Sequence, residues 1–183
     1  MEINISDPIC FVGGVHGAGK SHFCVALSDK LNGVHLVASE LIRFSPEASD
    51  TTGKLVKNMA GNQMRLVTAL RQRESIGKPI FLDGHYCLLM SDGTIGQVPI
   101  ATFAAISPSV MILVDASAAV IHERLSKRDG KSIDIAVIDR LLHAERMHFM
   151  SIGNELNIPY FVTTPSTSQN DVTTNIAAYI HNS

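Results

Sequence analysis

Eight consecutive residues, Gly14, Val15, His16, Gly17, Ala18, Gly19, Lys20 and Ser21, carry the spacing GxxxxGK[ST] of a loop that cradles nucleotide phosphates. A polyphosphate needs many hydrogen-bond donors at close range, and glycines let backbone N–H groups wrap it without a Cβ in the way. A helix beginning near Lys20 adds its free N–H groups and the positive end of its dipole. Lys20 brings a point charge to the β- and γ-phosphates, and the Ser21 hydroxyl is a natural ligand for Mg2+. With His22 directly after it, the stretch is expected to bind ATP as cofactor. His16, inside the loop, is either a phosphate or acceptor contact or a tolerated loop side chain.

An acid at the end of a second apolar strand organises the metal in such sites, often through water. Two strands offer one: Asp83 ends Ile-Phe-Leu-Asp-Gly-His, and Asp115 ends Met-Ile-Leu-Val-Asp-Ala. Asp83 is the preferred metal residue beside Ser21, because Gly84 lets the chain turn sharply over the site. The transferring group also needs cations. Arg124 and Arg128 are four apart and share one helix face, with Lys127, Lys131, Arg140 and Arg146 near in sequence. Guanidinium groups stabilise the charge that spreads over a transferring phosphoryl group. Basic residues late in a helix also offset its dipole, which is the bland alternative. The expected catalytic set is Lys20, Asp83, Arg124 and Arg128.

The elements that must position these groups follow from hydrophobic periodicity. Residues 9–12 are apolar throughout, as a central parallel strand with helices on both sides requires. Over 20–31, Phe23, Leu27 and Leu31 recur every fourth residue, and Asn32-Gly33 stops that helix. Residues 34–38 read as a second strand, followed by a short helix capped by Ser39, running through Arg43 and ended by Ser45-Pro46. Residues 50–77 are mostly helical, with a break expected near Gly61. A third strand covers 80–83. A hairpin is expected over 86–98 around Ser91-Asp92-Gly93, then a short helix over 101–106. Residues 110–114 form a fourth strand, 118–127 a helix, 128–132 a polar loop, 134–157 a long helix and 160–163 a fifth strand. Ser168 and Asp171 make a capping-box start for the last helix. Strand–helix alternation predicts a doubly wound five-stranded parallel sheet with helices on both faces.

The 183 residues, 45% of them hydrophobic, suffice for one domain with a full core, residues 1–183. A net charge of −2 supplies no global field to recruit nucleic acid or an anionic membrane. Cys10, Cys24 and Cys87 are isolated and sit in apolar surroundings, which predicts buried free thiols. There is neither a signal-peptide pattern at the start nor an apolar run of membrane-spanning length, so a cytoplasmic protein is expected. His143 and His148 are five apart, off the spacing of zinc helices, and His22, His35, His122 and His181 show no partner in sequence.

Together these pieces resemble the nucleoside monophosphate kinases, and within them the archaeal-type adenylate kinases. The resemblance spans residues 9–163 and rests on Gly-Val-His-Gly-Ala-Gly-Lys-Ser, Phe-Leu-Asp-Gly-His85, Met-Ile-Leu-Val-Asp-Ala, the run from Arg124 to Asp129, and Ala144-Glu145-Arg146. It implies a P-loop kinase fold with strand order 2-3-1-4-5, ATP as donor, Mg2+, and AMP or a similar monophosphate as acceptor. It places that acceptor over residues 39–71, with Arg43, Gln63, Arg65, His85 and Arg146 as contacts. The lid, residues 127–133, departs from the family: the chain passes from Arg128-Asp129 straight to the next helix, leaving fewer cations to clamp the phosphoryl group.

The leading expectation is transfer of the ATP γ-phosphoryl group to a nucleoside monophosphate by positioning and charge stabilisation. Two alternatives stay open: a kinase of a nucleoside or metabolite hydroxyl, where Asp83 or His85 takes the proton, and a nucleotide-dependent switch with slow hydrolysis. The expected partner is a small-molecule nucleotide acceptor. A homo-oligomer is left open.

Overall fold

The structure, a computed structural model, describes residues 7–44, 59–129, 133–164 and 169–180. Its centre is β1, Ile9–Gly13, buried along its whole length. Around it lie β2 (Val34–Val37), β3 (Ile80–Asp83), β6 (Val110–Val114) and β7 (Tyr160–Thr163), in the order β2-β3-β1-β6-β7 and all parallel. A separate antiparallel hairpin pairs β4 (Cys87–Leu89) with β5 (Ile95–Gln97). Taking only the five parallel strands, this is the expected 2-3-1-4-5 arrangement.

The continuous apolar strands are explained by two-sided cover. Cys10 and Val12 of β1 face one core with Phe23, Cys24 and Leu27 of α1 (Lys20–Leu31). Ile121 and Leu125 of α5 (Ala118–Asp129) and Ile176 of α7 (Gln169–Ile180) complete that layer. Ile9 and Phe11, on the alternate side, meet Leu66, Val67 and Leu70 of α3 (Met59–Arg71) and Phe103 and Ile106 of α4 (Ile100–Ile106). The two-residue period of a strand thus sorts one run of side chains into two cores. The long helix α6 (Ile135–Leu156) serves both: Ile138 and Leu142 join the first, Phe149 and Ile152 the second.

Helix ends follow local chemistry. Asn32 closes α1 in the left-handed region (φ 49°), with the Gly33 N–H donating to the Ser28 carbonyl at 2.9 Å. The Asp134 carboxylate caps α6 by accepting from the Ala136 N–H at 2.8 Å.

Several boundaries differ from expectation. The short helix α2 runs Ala38–Arg43 directly from β2, its N-cap is Val37 without a side-chain bond, and Ser39 falls in its first turn. No break occurs at Gly61, which lies inside α3: the buried stripe Leu66, Val67 and Leu70 outweighs a glycine cost of about 1 kcal/mol. The helix stops at Arg71 instead of continuing to residue 77. There the Asp7 carboxylate takes the N–H groups of Ile76 and Gly77 (both 3.0 Å) and the Ser75 hydroxyl (2.7 Å), replacing helical bonds. Helix α5 extends two residues further than expected and carries Arg128 in its last turn. The expected stop at Ser45-Pro46, the helical pattern of 50–58, the lid residues 130–132 and the Ser168 cap lie outside the described residues.

All three cysteines are buried free thiols, as expected. Among the described residues no helix is long and apolar enough to cross a membrane.

Candidate functional site

Parallel pairing brings the carboxyl ends of the strands to one edge of the sheet. Val12 pairs with Asp83, Asp83 with Val37, and Val114 with Thr163, so loops leaving those ends crowd one crevice. The loop after β1 wraps there. Gly14, Gly17 and Gly19 take φ of 145°, 88° and 107°, a region closed to most side chains. A Cβ on Gly14 would also strike the Val114 carbonyl oxygen. Gly19 is the N-cap of α1 and bears no side-chain cap, which leaves the first N–H groups of that helix directed at the crevice.

Lys20 is buried, and its Nζ donates to the Val15 carbonyl at 3.3 Å. Burial holds the ammonium below the ordinary lysine range, with the Asp83 and Glu145 carboxylates opposing that fall and Arg128 adding to it. At the next residue, in the first turn of α1, the Ser21 hydroxyl donates to Asp83 Oδ2 at 2.6 Å. The pair is two hard oxygen donors at the mouth of the loop, the donor set that Mg2+ prefers while keeping several waters. Ser21 and Asp83 fit a magnesium ion on that chemistry. From α5, Arg124 Nη1 donates to the Gly17 and Ala18 carbonyls at 3.0 and 3.1 Å and so braces the loop from its carbonyl side.

A single cavity of about 820 Å³ joins this loop to an apolar compartment. It gathers twelve of the sequence-predicted site residues: His16, Gly17, Ala18, Gly19, Lys20, Ser21, His22, Gln63, Asp83, His85, Arg124 and Arg128. Its far end is lined by Phe11, Ile42, Leu66, Val98, Phe103 and Ile106, with Ser39, Asn62, Gln63 and Thr102 as polar groups. Gly14 and Val15 stand behind the wall; Val15 is in the core and offers only its backbone. The His16 and His85 rings lie near-parallel at 6.0 Å.

Three expected acceptor contacts are placed elsewhere. Arg43 holds its guanidinium 4.5 Å over the Phe44 ring, and neither it nor Arg65 lines the cavity. Arg146 grips Asp115 Oδ2 through Nη2 at 2.7 Å and Nε at 2.8 Å. Asp115, the second candidate metal acid, is engaged in that pair and does not line the cavity. Arg140 is exposed and does not line the cavity either.

Two groups escaped the sequence reading. Glu145 is fully buried; its Oε2 accepts from the Tyr86 N–H at 3.1 Å, and its Oε1 lies 3.7 Å from His85 Nδ1. Its signal was present: it occupies the apolar stripe of α6, between Leu142 and Phe149, where a carboxylate must have a reason. His35 is the other, with Nε2 3.7 Å from Asp83 Oδ2. No local spacing marks it, because strand pairing alone brings β2 beside β3. His122 and His148 are satisfied by the Ile133 and Val98 carbonyls at 2.7 and 2.6 Å, as partner-bearing structural histidines.

Comparison with known proteins agrees with the geometry. The family model AAA_17, an AAA domain, matches residues 13–141, over two thirds of the chain. No curated protein sequence matches it. Among solved structures it is similar to a gluconokinase from Sinorhizobium meliloti 1021, at 14% identity and TM-score 0.56, covering 98% of this chain and 94% of that one. A shikimate kinase from Acinetobacter baumannii in complex with shikimate gives 14%, 0.55, 97% and 94%. A deoxyadenosine kinase from M. mycoides with bound dATP gives 17%, 0.55, 93% and 99%. At these identities the likeness is one of fold, and the shared fold is that of the P-loop kinases.

Proposed function

The chain belongs to the AAA_17 family of AAA domains, and from that premise we propose that it is an ATP-dependent phosphotransferase acting on a small molecule. The observation that carries this is the continuity of one cavity from the phosphate loop to a mainly apolar compartment. A pure switch needs the first part only. A kinase needs both, with the acceptor held in line with the γ-phosphate and water excluded.

In this reading the loop 14–21 and Lys20 hold the triphosphate, and Ser21 with Asp83 would hold Mg2+, which supplies charge neutralisation at the phosphates. Arg128 faces the transferring group, and Arg124 keeps the loop in shape through its two carbonyl contacts. The structural neighbours, whose names give gluconate, shikimate and deoxyadenosine kinases, support a hydroxyl acceptor. So does the lining: among the described residues, its lysine and arginine side chains (Lys20, Arg124, Arg128) all belong to the loop end, while the far end offers Asn62, Gln63 and Thr102. An uncharged, partly planar alcohol such as a nucleoside suits that compartment. Its proton has two acceptors within two residues of each other, Asp83 and His85.

The order of sequence motifs supports a second reading, a nucleoside monophosphate kinase of adenylate kinase type. A coupled ADP-release assay against nucleosides, sugar acids and nucleoside monophosphates separates the two. Acceptor-dependent turnover with an alcohol is the expected result; turnover with AMP alone selects the second reading, and none with any acceptor defeats both.

A further inference from the structure

We propose that Cys24, His35 and Asp83 form a binding site for a thiophilic divalent cation of the zinc class, lying against the magnesium position. The three residues come from α1, β2 and β3, and one ligand atom from each lies within 4.8 Å of the other two. Zinc bond lengths of about 2.0–2.3 Å in a tetrahedron put neighbouring ligand atoms roughly 3.3–3.8 Å apart. Small side-chain rotations therefore close the set, and His35 Nε2 already stands 3.7 Å from Asp83 Oδ2.

His35 Nε2 is a buried nitrogen without a hydrogen-bond partner. Leaving a buried polar atom unpaired is costly, so its position beside a thiol and a carboxylate calls for a ligand. The donor types select that ligand. Sulfur, imidazole nitrogen and one carboxylate suit zinc, whereas magnesium takes oxygen almost exclusively. Charge agrees as well: a thiolate and a carboxylate neutralise a divalent cation, which makes the buried assembly neutral. Binding exchanges the Cys24 thiol proton for the metal and releases it to solvent, while His35 donates the Nε2 lone pair in its neutral form. The Ser21 hydroxyl, 2.6 Å from the same carboxylate oxygen, stands next to the remaining position.

The site stands on these contacts alone. Its consequence rests on the proposed function: Asp83 cannot serve both ions, so zinc antagonises magnesium and ATP.

Titration of the reduced, nucleotide-free protein with Co2+ tests this. The expected result is a thiolate-to-cobalt charge-transfer band saturating at one ion per chain and displaced by Zn2+. Cys24→Ser removes the band, and His35→Asn weakens Co2+ binding at least tenfold with an unchanged far-UV spectrum. His35 is half-buried on an edge strand, so the second variant serves if the first misfolds. No charge-transfer band in the natural chain, or an undiminished band in Cys24→Ser, overturns the site. Zn2+ is expected to inhibit Mg2+- and ATP-dependent turnover, and Cys24→Ser to keep the turnover but lose the inhibition. A band that survives saturating Mg2+ and ATP leaves the zinc site standing and defeats the magnesium role of Asp83.

Discussion

Arg146 and Asp115 hold each other at 2.7 Å, outside the lining of the cavity that gathers twelve of the predicted residues. The carboxylate is nearly buried and the guanidinium half-exposed, and two guanidinium nitrogens engage Asp115 Oδ2, so the pair ties α6 to the end of β6. Arg146→Ala is expected to leave the acceptor KM within about twofold and, by orphaning the nearly buried carboxylate, to cost about 1–3 kcal/mol in stability. Steady-state kinetics and thermal melting check both, and a tenfold rise in KM would return Arg146 to the acceptor site.

Asp83→Asn keeps the size of the side chain and an acceptor for the Ser21 hydroxyl, but loses the charge. The expected outcome is a 10–100-fold lower activity with Mg2+, while binding of ATP measured without metal stays within a few-fold. Equal loss of both would show a structural role for the carboxylate.

Lys20 leads to a proton count. Burial lowers its affinity for a proton in the free protein, and the phosphates of ATP restore the charge. Between that lowered value and 10.5, ATP binding is therefore accompanied by proton uptake. Calorimetry in buffers of different ionisation heat reads it directly. Lys20→Met abolishes the uptake and weakens ATP binding; uptake unchanged in that variant would refute the assignment.

Asp7 anchors the turn before β3. Burial by itself would raise its carboxyl, but the Ile76 and Gly77 N–H groups and the Ser75 hydroxyl outweigh that and hold it below 3.8. A lowered folded value means stability that is present above 3.8 and disappears as pH falls through the folded value. Asp7→Ala orphans those donors at a cost of about 1–3 kcal/mol at neutral pH. Urea melts at pH 7 and pH 3 are expected to show a difference between the two proteins that shrinks at the lower pH; a constant difference rejects the linkage.

Much of this molecule was readable from local sequence. The glycine spacing fixed the phosphate loop, because only positive φ and the missing Cβ permit that wrap. Apolar runs ending in Asp83 and Asp115 gave the strands, since a doubly covered sheet leaves no polar face to alternate. Tertiary structure decided what depends on strand order and helix crossing. Both acid-bearing strands lie beside β1, yet Asp83 lines the cavity whereas Asp115 is claimed by an arginine 31 residues away. His35 meets Asp83, and Glu145 meets His85, across separations of 48 and 60 residues that no periodicity encodes. Sequence records which groups exist and how far apart they lie along the chain; only packing determines which buried charge finds which partner.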